Sequence, residues 1–297
     1  MSKYNIVNKT FIKSKNKSSQ IINRYLYSLI GFILLTILLY IIFYKTSLIL
    51  PLLKSLVISL SISILVQYII NIILKNYNFI DIYQKDYAHI VGLIIGLFGI
   101  NTNILILFIS ILISLIIKKI FKNINLSSSL YGILIILIFK YYTSDINYSL
   151  DIINNIELNK NIITNYLIGT EYLSPILSII SFFYLFYKKS IKYNIVISYI
   201  STIFIIMLIY GIFNGMNLLF PLLFLSTNNI LFLSVFTLTD YIATPTINET
   251  QRIYGIILGI ITSILLFIIP FFAPVISLII GPLLLTKYLD NISYKVK

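Results

Sequence analysis

The sequence contains no cysteine, no tryptophan and one histidine, and only 10% of its 297 residues are charged. Without cysteine there are no disulfide bonds, no thiol catalysis and no iron–sulfur cluster held by cysteine. A single histidine, His89, leaves no zinc site built from histidine ligands. Soluble proteins typically carry about 25% charged residues. The chain therefore lacks the polar side chains that a water-facing surface would require.

What the sequence has instead is apolar residues, which make up 59% of the chain at a mean hydropathy of +0.99. They fall into runs, and a membrane crossing needs about 20 such residues. The runs predict an all-α polytopic membrane protein with about ten transmembrane helices. The predicted spans are 25–44, 50–73, 87–100, 102–118, 127–140, 167–187, 193–213, 216–238, 253–269 and 271–287.

Five of these spans lie on each side of a polar, asparagine-rich segment at 141–165. We therefore predict one membrane domain, 25–287, made of two inverted five-helix repeats, 25–140 and 167–287. An odd number of spans in each half gives the second half the opposite orientation. Several spans are short, and the last two are separated only by Pro270. Short or interrupted segments in both halves are typical of proteins with a site near the membrane midplane.

The formal net charge of +13 comes from basic residues that lie between the apolar runs, which is the pattern of loops held in the cytoplasm rather than of nucleic-acid binding. With the N-terminus inside, the predicted inner segments hold most of the 22 basic residues. Both tails, 1–24 and 288–297, are then cytoplasmic, in a cell membrane protein, and 141–165 is the longest outer loop. The exceptions to this count are Lys45, Lys54, Lys140 and Lys160.

The most specific stretch, residues 237–246, reads Thr-Leu-Thr-Asp-Tyr-Ile-Ala-Thr-Pro-Thr. Asp240 is a carboxylate at a membrane boundary, which is costly unless it is paired or used. Thr239 and Thr244 add hydroxyls that can bind an ion, a phosphate or the edge of a flavin. On composition alone, the alternative is a solvated loop with an Asp-Tyr turn.

This stretch resembles the RnfD/NqrB family, the flavin-carrying membrane subunits of Rnf and Na⁺-pumping quinone oxidoreductase complexes. The similarity is close over 165–290 and loose over 20–130. A second segment, 167–177, resembles a family segment in which Gly169 conforms, while Thr170 and Glu171 stand in swapped order. The matching residues of the first stretch and the span after it are Thr239, Asp240, Pro245, Arg252, Gly255 and Gly259.

The resemblance implies a membrane subunit of a redox-driven, ion-translocating electron-transport complex, with other membrane subunits as partners and FMN or riboflavin as cofactor. The flavin would carry the redox chemistry, so we identify no catalytic residue, no metal ligand and no independent enzyme. By the same resemblance, a non-covalent flavin or ion site would include Thr239, Asp240, Thr244, Glu171 and Gly169.

The sequence departs from the family where the flavin is usually attached. Members bind FMN covalently through a Thr in a Ser-Gly-Ala-Thr segment of the outer loop, whereas this loop has only Thr143 and Thr164, neither of them preceded by Gly-Ala. Two family glycines are replaced by Lys122 and Asn123, and such glycines let a backbone approach a cofactor closely. Covalent FMN is therefore not expected.

Two further functions remain open. An inverted-repeat solute channel or transporter would have the same architecture. Such a protein would not need the flavin motifs that this sequence lacks. A cofactor-less scaffold subunit would keep the fold and assemble partner subunits. Neighbouring genes for other Rnf-type subunits or a flavin transferase would favour the redox complex, and a metabolic operon would favour the transporter.

Ultraviolet illumination of a denaturing gel tests the missing anchor. We expect no fluorescent band from the purified chain, because the loop at 141–165 lacks the flavin-attachment segment. A flavin-bearing peptide that maps to 141–165 would contradict this prediction.

Overall fold

The computed structural model describes residues 18–43, 46–73, 87–121, 124–143, 173–216, 218–227, 229–241 and 243–285. Over these ranges the chain forms eleven α-helices. They are α1 (Ser18–Ile42), α2 (Ile49–Ile73), α3 (Ala88–Phe98), α4 (Ile104–Ile120), α5 (Ser129–Tyr142), α6 (Pro175–Tyr187), α7 (Tyr193–Phe213), α8 (Phe220–Thr227), α9 (Ile230–Phe236), α10 (Asn248–Ile268) and α11 (Ala273–Ile280). Short 3₁₀ turns, Thr46–Leu48 and Leu126–Ser128, precede α2 and α5, and a π-helical turn, Gly281–Leu285, follows α11.

The helices have the lengths and compositions of an integral membrane protein, which confirms the predicted all-α polytopic fold. Four of the described helical segments are long and apolar enough to cross a bilayer: Gln20–Ile42, Thr46–Ile73, Tyr193–Phe213 and Asn248–Ile268. Shorter apolar helices lie between or after them, at Ala88–Phe98, Leu126–Tyr142, Pro175–Tyr187 and Ala273–Leu283. The helix α1 begins at Ser18, before the predicted span at residue 25, so it extends into the predicted N-terminal tail.

Local sequence signals account for several helix ends. The Asn103 side chain accepts a hydrogen bond from the Leu105 amide at the start of α4, at 3.3 Å. Ser174 does the same for the Leu177 amide before α6, where Pro175 occupies the first helical turn. Both are the expected caps, because the first amides of a helix have no partner within it.

Several helix contacts of one predicted half have a counterpart in the other half. In the first half, α2 contacts α3 and α4, and α4 contacts α5; in the second, α7 contacts α8 and α10, and α10 contacts α11. Equivalent helices also meet across the halves, α1 with α6 and α5 with α11. The division into two inverted repeats stays a prediction, and the sequences of the halves show no convincing similarity.

The third element of each half departs from a simple span. The segment 216–238, which hydropathy predicts as one span, forms α8 and α9 with a break at Asn229, whose φ of 54° is left-handed. Its counterpart α3 has only 11 residues and is buried along its length. The two elements meet at aromatic rings, with 6.0 Å between the centroids of Phe98 and Phe232. The middle of the protein is therefore packed with side chains between two short helices.

Small residues set the closest helix contacts. On α3, a Cβ added to Gly92 would lie 2.7 Å from the Ser63 Cβ of α2. On α10, a Cβ added to Gly255 would lie 2.6 Å from the Ile195 carbonyl oxygen of α7, and Gly259 faces Thr202 one turn further on. Small residues allow such close approach between membrane helices, and Gly255 and Gly259 let α10 pack directly against α7.

The substitution Gly255→Ala should lower the free energy of unfolding by about 1 to 3 kcal/mol, because the new methyl group meets backbone that cannot turn aside. Gly31→Ala is the matched control, since nothing lies within 4 Å of its added Cβ. Unfolding in detergent micelles should show a loss for Gly255→Ala alone. Equal stability of the two variants would show that α7 and α10 do not approach as described.

Candidate functional site

The loop from Thr237 to Ile247 joins α9 to α10 and contains the three predicted site residues that the structure describes. The Thr237 hydroxyl donates to the Leu233 carbonyl oxygen at 2.7 Å, and the Thr239 hydroxyl donates to that of Val235 at 3.1 Å. The Leu233 carbonyl also accepts from the Thr237 and Leu238 amides, whereas the Thr239 bond satisfies the Val235 carbonyl in the last turn of α9. The threonines thus terminate the helix and turn the next residue, Asp240, toward the first half of the chain.

Asp240 is buried and binds the segment that begins α5. Its Oδ2 atom accepts hydrogen bonds from the Asn125 amide at 2.6 Å, from the Ser127 amide at 3.2 Å and from the Ser127 hydroxyl at 3.0 Å. The donors belong to the turn that leads into α5, more than 100 residues away. One carboxylate therefore ties the second half to the first.

The negative charge of Asp240 is more favourable beside the start of α5 than at the end of its own helix, α9. A carboxylate that follows the C-terminus of α9 lies at the negative end of that helix dipole, which is unfavourable. The amides before α5 lie at a positive helix end, and a buried carboxylate is stable where such donors satisfy it. Hydrogen bonds to a charged group contribute about 1.5 to 3 kcal/mol each, so this contact is a principal tie between the halves.

Lys192, just before α7, holds the same loop from the other side. Its ammonium donates to the Tyr241 carbonyl at 2.9 Å, and to the Thr244 carbonyl and hydroxyl at 2.8 Å each. The ammonium also lies 5.1 Å from the centroid of the Tyr241 ring, within the range of a cation–π contact. Burial raises the pKa of the Tyr241 hydroxyl above its ordinary value.

Three further contacts complete a polar cluster, which we call the inner junction. The Tyr25 hydroxyl of α1 lies 2.7 Å from the Thr239 hydroxyl. The Gln251 side chain of α10 donates to the Pro245 and Thr246 carbonyls at 3.2 and 3.3 Å. The inner junction consists of Tyr25, Asn125, Ser127, Lys192, Thr239, Asp240, Tyr241, Thr244 and Gln251.

The structure brings together Thr239, Asp240 and Thr244, and all three are almost completely buried. The other two predicted site residues, Gly169 and Glu171, lie outside the described residues, as does most of the outer loop. Sequence reasoning missed the partners: Tyr25, Asn125, Ser127, Lys192 and Gln251. In the sequence, Lys192 is not distinguished from the other basic residues of the predicted inner segments, and backbone amides such as that of Asn125 carry no sequence signal.

The two threonine hydroxyls have little capacity left for a cofactor. The Thr244 hydroxyl donates to the Asp240 carbonyl at 2.6 Å while it accepts from Lys192, and the Thr239 hydroxyl is shared between Val235 and Tyr25. In this arrangement the residues do not fit a directly bound flavin. Their assignment to a flavin or ion site stays a prediction. The described residues also contain no group of three His, Cys, Asp or Glu side chains able to hold a metal ion.

Removing the Asp240 carboxylate should destabilise the protein strongly. We expect Asp240→Ala to lower the free energy of unfolding by about 3 kcal/mol, because three donors lose a charged acceptor and two amides, one buried and one partly buried, are left unpaired. Asp240→Asn should cost less, since an amide oxygen can still accept. The measurement is unfolding in mixed micelles, with the exposed carboxylate Glu249→Gln as a control that changes stability by less than about 0.5 kcal/mol. A loss no larger than that of the control would show that Asp240 does not join the halves.

Comparison with known proteins places this arrangement in a family. No individually curated protein matches the sequence significantly. The sequence model of the NQR2, RnfD, RnfE family, however, matches residues 5–280. The match spans both halves and the inner junction, and it confirms the resemblance found in the 237–259 region. The chain belongs to the NQR2, RnfD, RnfE family, and is thereby a membrane subunit of the Rnf/Nqr type.

Proposed function

We propose that this chain is the membrane subunit of a complex that couples electron transport to ion translocation. The observation that carries the proposal is the family match over residues 5–280. The complex would lie in the cell membrane, with both termini of this chain in the cytoplasm and other membrane subunits bound to it. The charge distribution supports this orientation, because cytoplasmic loops are enriched in Lys and Arg.

In the proposed complex, the part of the chain that the structure describes supplies position and electrostatics. A flavin, where one is bound, would supply the redox chemistry. Its family-predicted contacts are Thr239, Asp240 and Thr244, together with Gly169 and Glu171. The described contacts of the first three lead to another role, which is to fix the inner ends of α1, α5, α7 and α10 relative to one another.

The transporter alternative draws support from one feature, the paired short elements. The helix α3 and the broken pair α8 and α9 occupy equivalent positions in the two halves, as interrupted helices do in many transporters. Their contact is filled by the Phe32, Phe98, Phe232 and Phe236 rings. A solute path through this contact would require those rings to move, so we favour the redox complex.

Gentle purification from native membranes distinguishes these functions. We expect the chain to retain other subunits of an Rnf- or Nqr-type complex, identified by mass spectrometry. The assembled complex, reconstituted into vesicles, should move an ion when an electron donor is added. As a control, disrupting the inner junction with Asp240→Ala should reduce subunit retention, whereas Glu249→Gln should not.

Two results would contradict the proposal. A chain that purifies alone and moves a solute down its gradient in vesicles, without any redox partner, would be a channel or transporter. Retention of partner subunits with no electron transfer through the assembled complex would identify a scaffold instead.

A further inference from the structure

A groove runs along the outside of the crossing between α7 and α10. It has a volume of about 730 Å³, and the α7 residues that line it extend from Tyr193 to Ile206. At 1.5 Å per residue this stretch is about 20 Å long, which is slightly more than the roughly 15 Å of one bilayer leaflet. The glycines Gly255 and Gly259 draw the two helices together behind the groove, and the small side chains Ser198 and Thr202 leave room in front of them.

The walls of the groove suit a hydrocarbon chain. Ile197 and Ile205 of α7 are 53% and 54% exposed, and Ile256 and Ile260 of α10 are 43% and 42% exposed. The serine and threonine hydroxyls in the groove do not make it polar, because each donates to a carbonyl of its own helix. The bonds are Ser198 to Asn194 at 2.7 Å, Ser201 to Ser198 at 3.1 Å and Thr202 to Ser198 at 2.7 Å.

One end of the groove is cationic. Arg252, in the second turn of α10, lines it and is exposed, and it has no hydrogen-bond or ion-pair partner within the described residues. The polar side chains of Tyr193 and Asn194 line the same end. Glu249, one turn before Arg252, does not line the groove. By the charge distribution of the sequence this is the cytoplasmic end, at the level of the lipid head groups.

We propose that the groove is a binding site for an anionic glycerophospholipid, whose phosphate contacts Arg252 and one of whose acyl chains lies between α7 and α10. The guanidinium group suits this ligand, because it can donate two parallel hydrogen bonds to phosphate oxygens. The exposed isoleucines would contact the acyl chain. The serine and threonine hydroxyls beside them already have hydrogen-bond partners within α7. A fixed lipid at this position would cover the glycine-mediated contact between α7 and α10.

Two variants test the cationic end of the groove and its acyl-chain part separately. Arg252→Gln removes the cation, with Lys54→Gln as a control that removes an exposed basic charge on α2. Ser201→Phe fills the groove with a ring, with Ser61→Phe as a control at an exposed serine of α2 whose hydroxyl is likewise bonded within its helix. Each variant is purified as the full chain with the subunits that it retains, and is titrated with lipid while bound lipid is counted by native mass spectrometry.

The lipids are phosphatidylglycerol and phosphatidylcholine with 16- to 18-carbon chains, and glycerol 3-phosphate serves as a head group without chains. The natural sequence should bind phosphatidylglycerol more tightly than phosphatidylcholine. Arg252→Gln should weaken phosphatidylglycerol binding about fivefold, the effect of one basic residue near an anionic head group. Ser201→Phe should weaken the binding of both lipids, and neither control should change it.

Three outcomes would overturn the proposal. In the first, Arg252→Gln and Ser201→Phe bind phosphatidylglycerol as the natural sequence does. In the second, glycerol 3-phosphate displaces the lipid at equal concentration, which would identify a site for free phosphate. In the third, the complex binds no lipid at the groove because a helix of another subunit covers it. A cross-link between position 201 and that subunit would show this.

Discussion

The packing of the two halves depends on a buried carboxylate that is satisfied by backbone amides of the opposite half. Asp240 ends the second half's broken span, and its partners, the amides of Asn125 and Ser127, begin the last helix of the first half. An unpaired carboxylate at this depth would be very costly. The hydrogen bonds of Asp240 therefore favour the relative position of the two halves in which these amides meet the carboxylate. Apolar helix surfaces do not fix the relative position of helices in this way, because lipid solvates such surfaces as well as another helix does.

Around that tie, the two halves are assembled by small side chains. Gly92 against Ser63 and Gly255 against Ser198 bring helix backbones close together in the first and second half respectively. Dispersion contacts of this kind are individually weak and require close fit over many atoms. The middle of the protein uses larger groups, and the rings of Phe98 and Phe232 fill the space between two short helices. The protein thus has polar ties at the end that contains the inner junction, a packed aromatic centre, and close-packed interfaces within each half.

The features that could be predicted from the sequence depend either on average composition or on a single charged group whose burial is energetically costly. Hydropathy found the apolar segments, and the cost of a carboxylate at a membrane boundary singled out Asp240 as paired or used. The break at Asn229 was missed, because a hydropathy average over a whole span hides the four consecutive polar residues 226–229. Asparagine is nevertheless among the few residues that readily adopt a left-handed conformation. The partners of Asp240 could not be predicted, because every residue has a backbone amide and only the fold selects which ones face the carboxylate.

Because Lys192 binds the loop between α9 and α10, the order of that loop does not require a bound metal cation. Its ammonium lies among three oxygens of residues 241 and 244, at distances of 2.8 to 2.9 Å. A diffusible cation in such a place would stabilise the loop only in proportion to the logarithm of its concentration. Because the ammonium is tethered covalently to the chain, its local concentration is constant. The order of this loop therefore does not depend on the concentration of a diffusible cation on either side of the membrane.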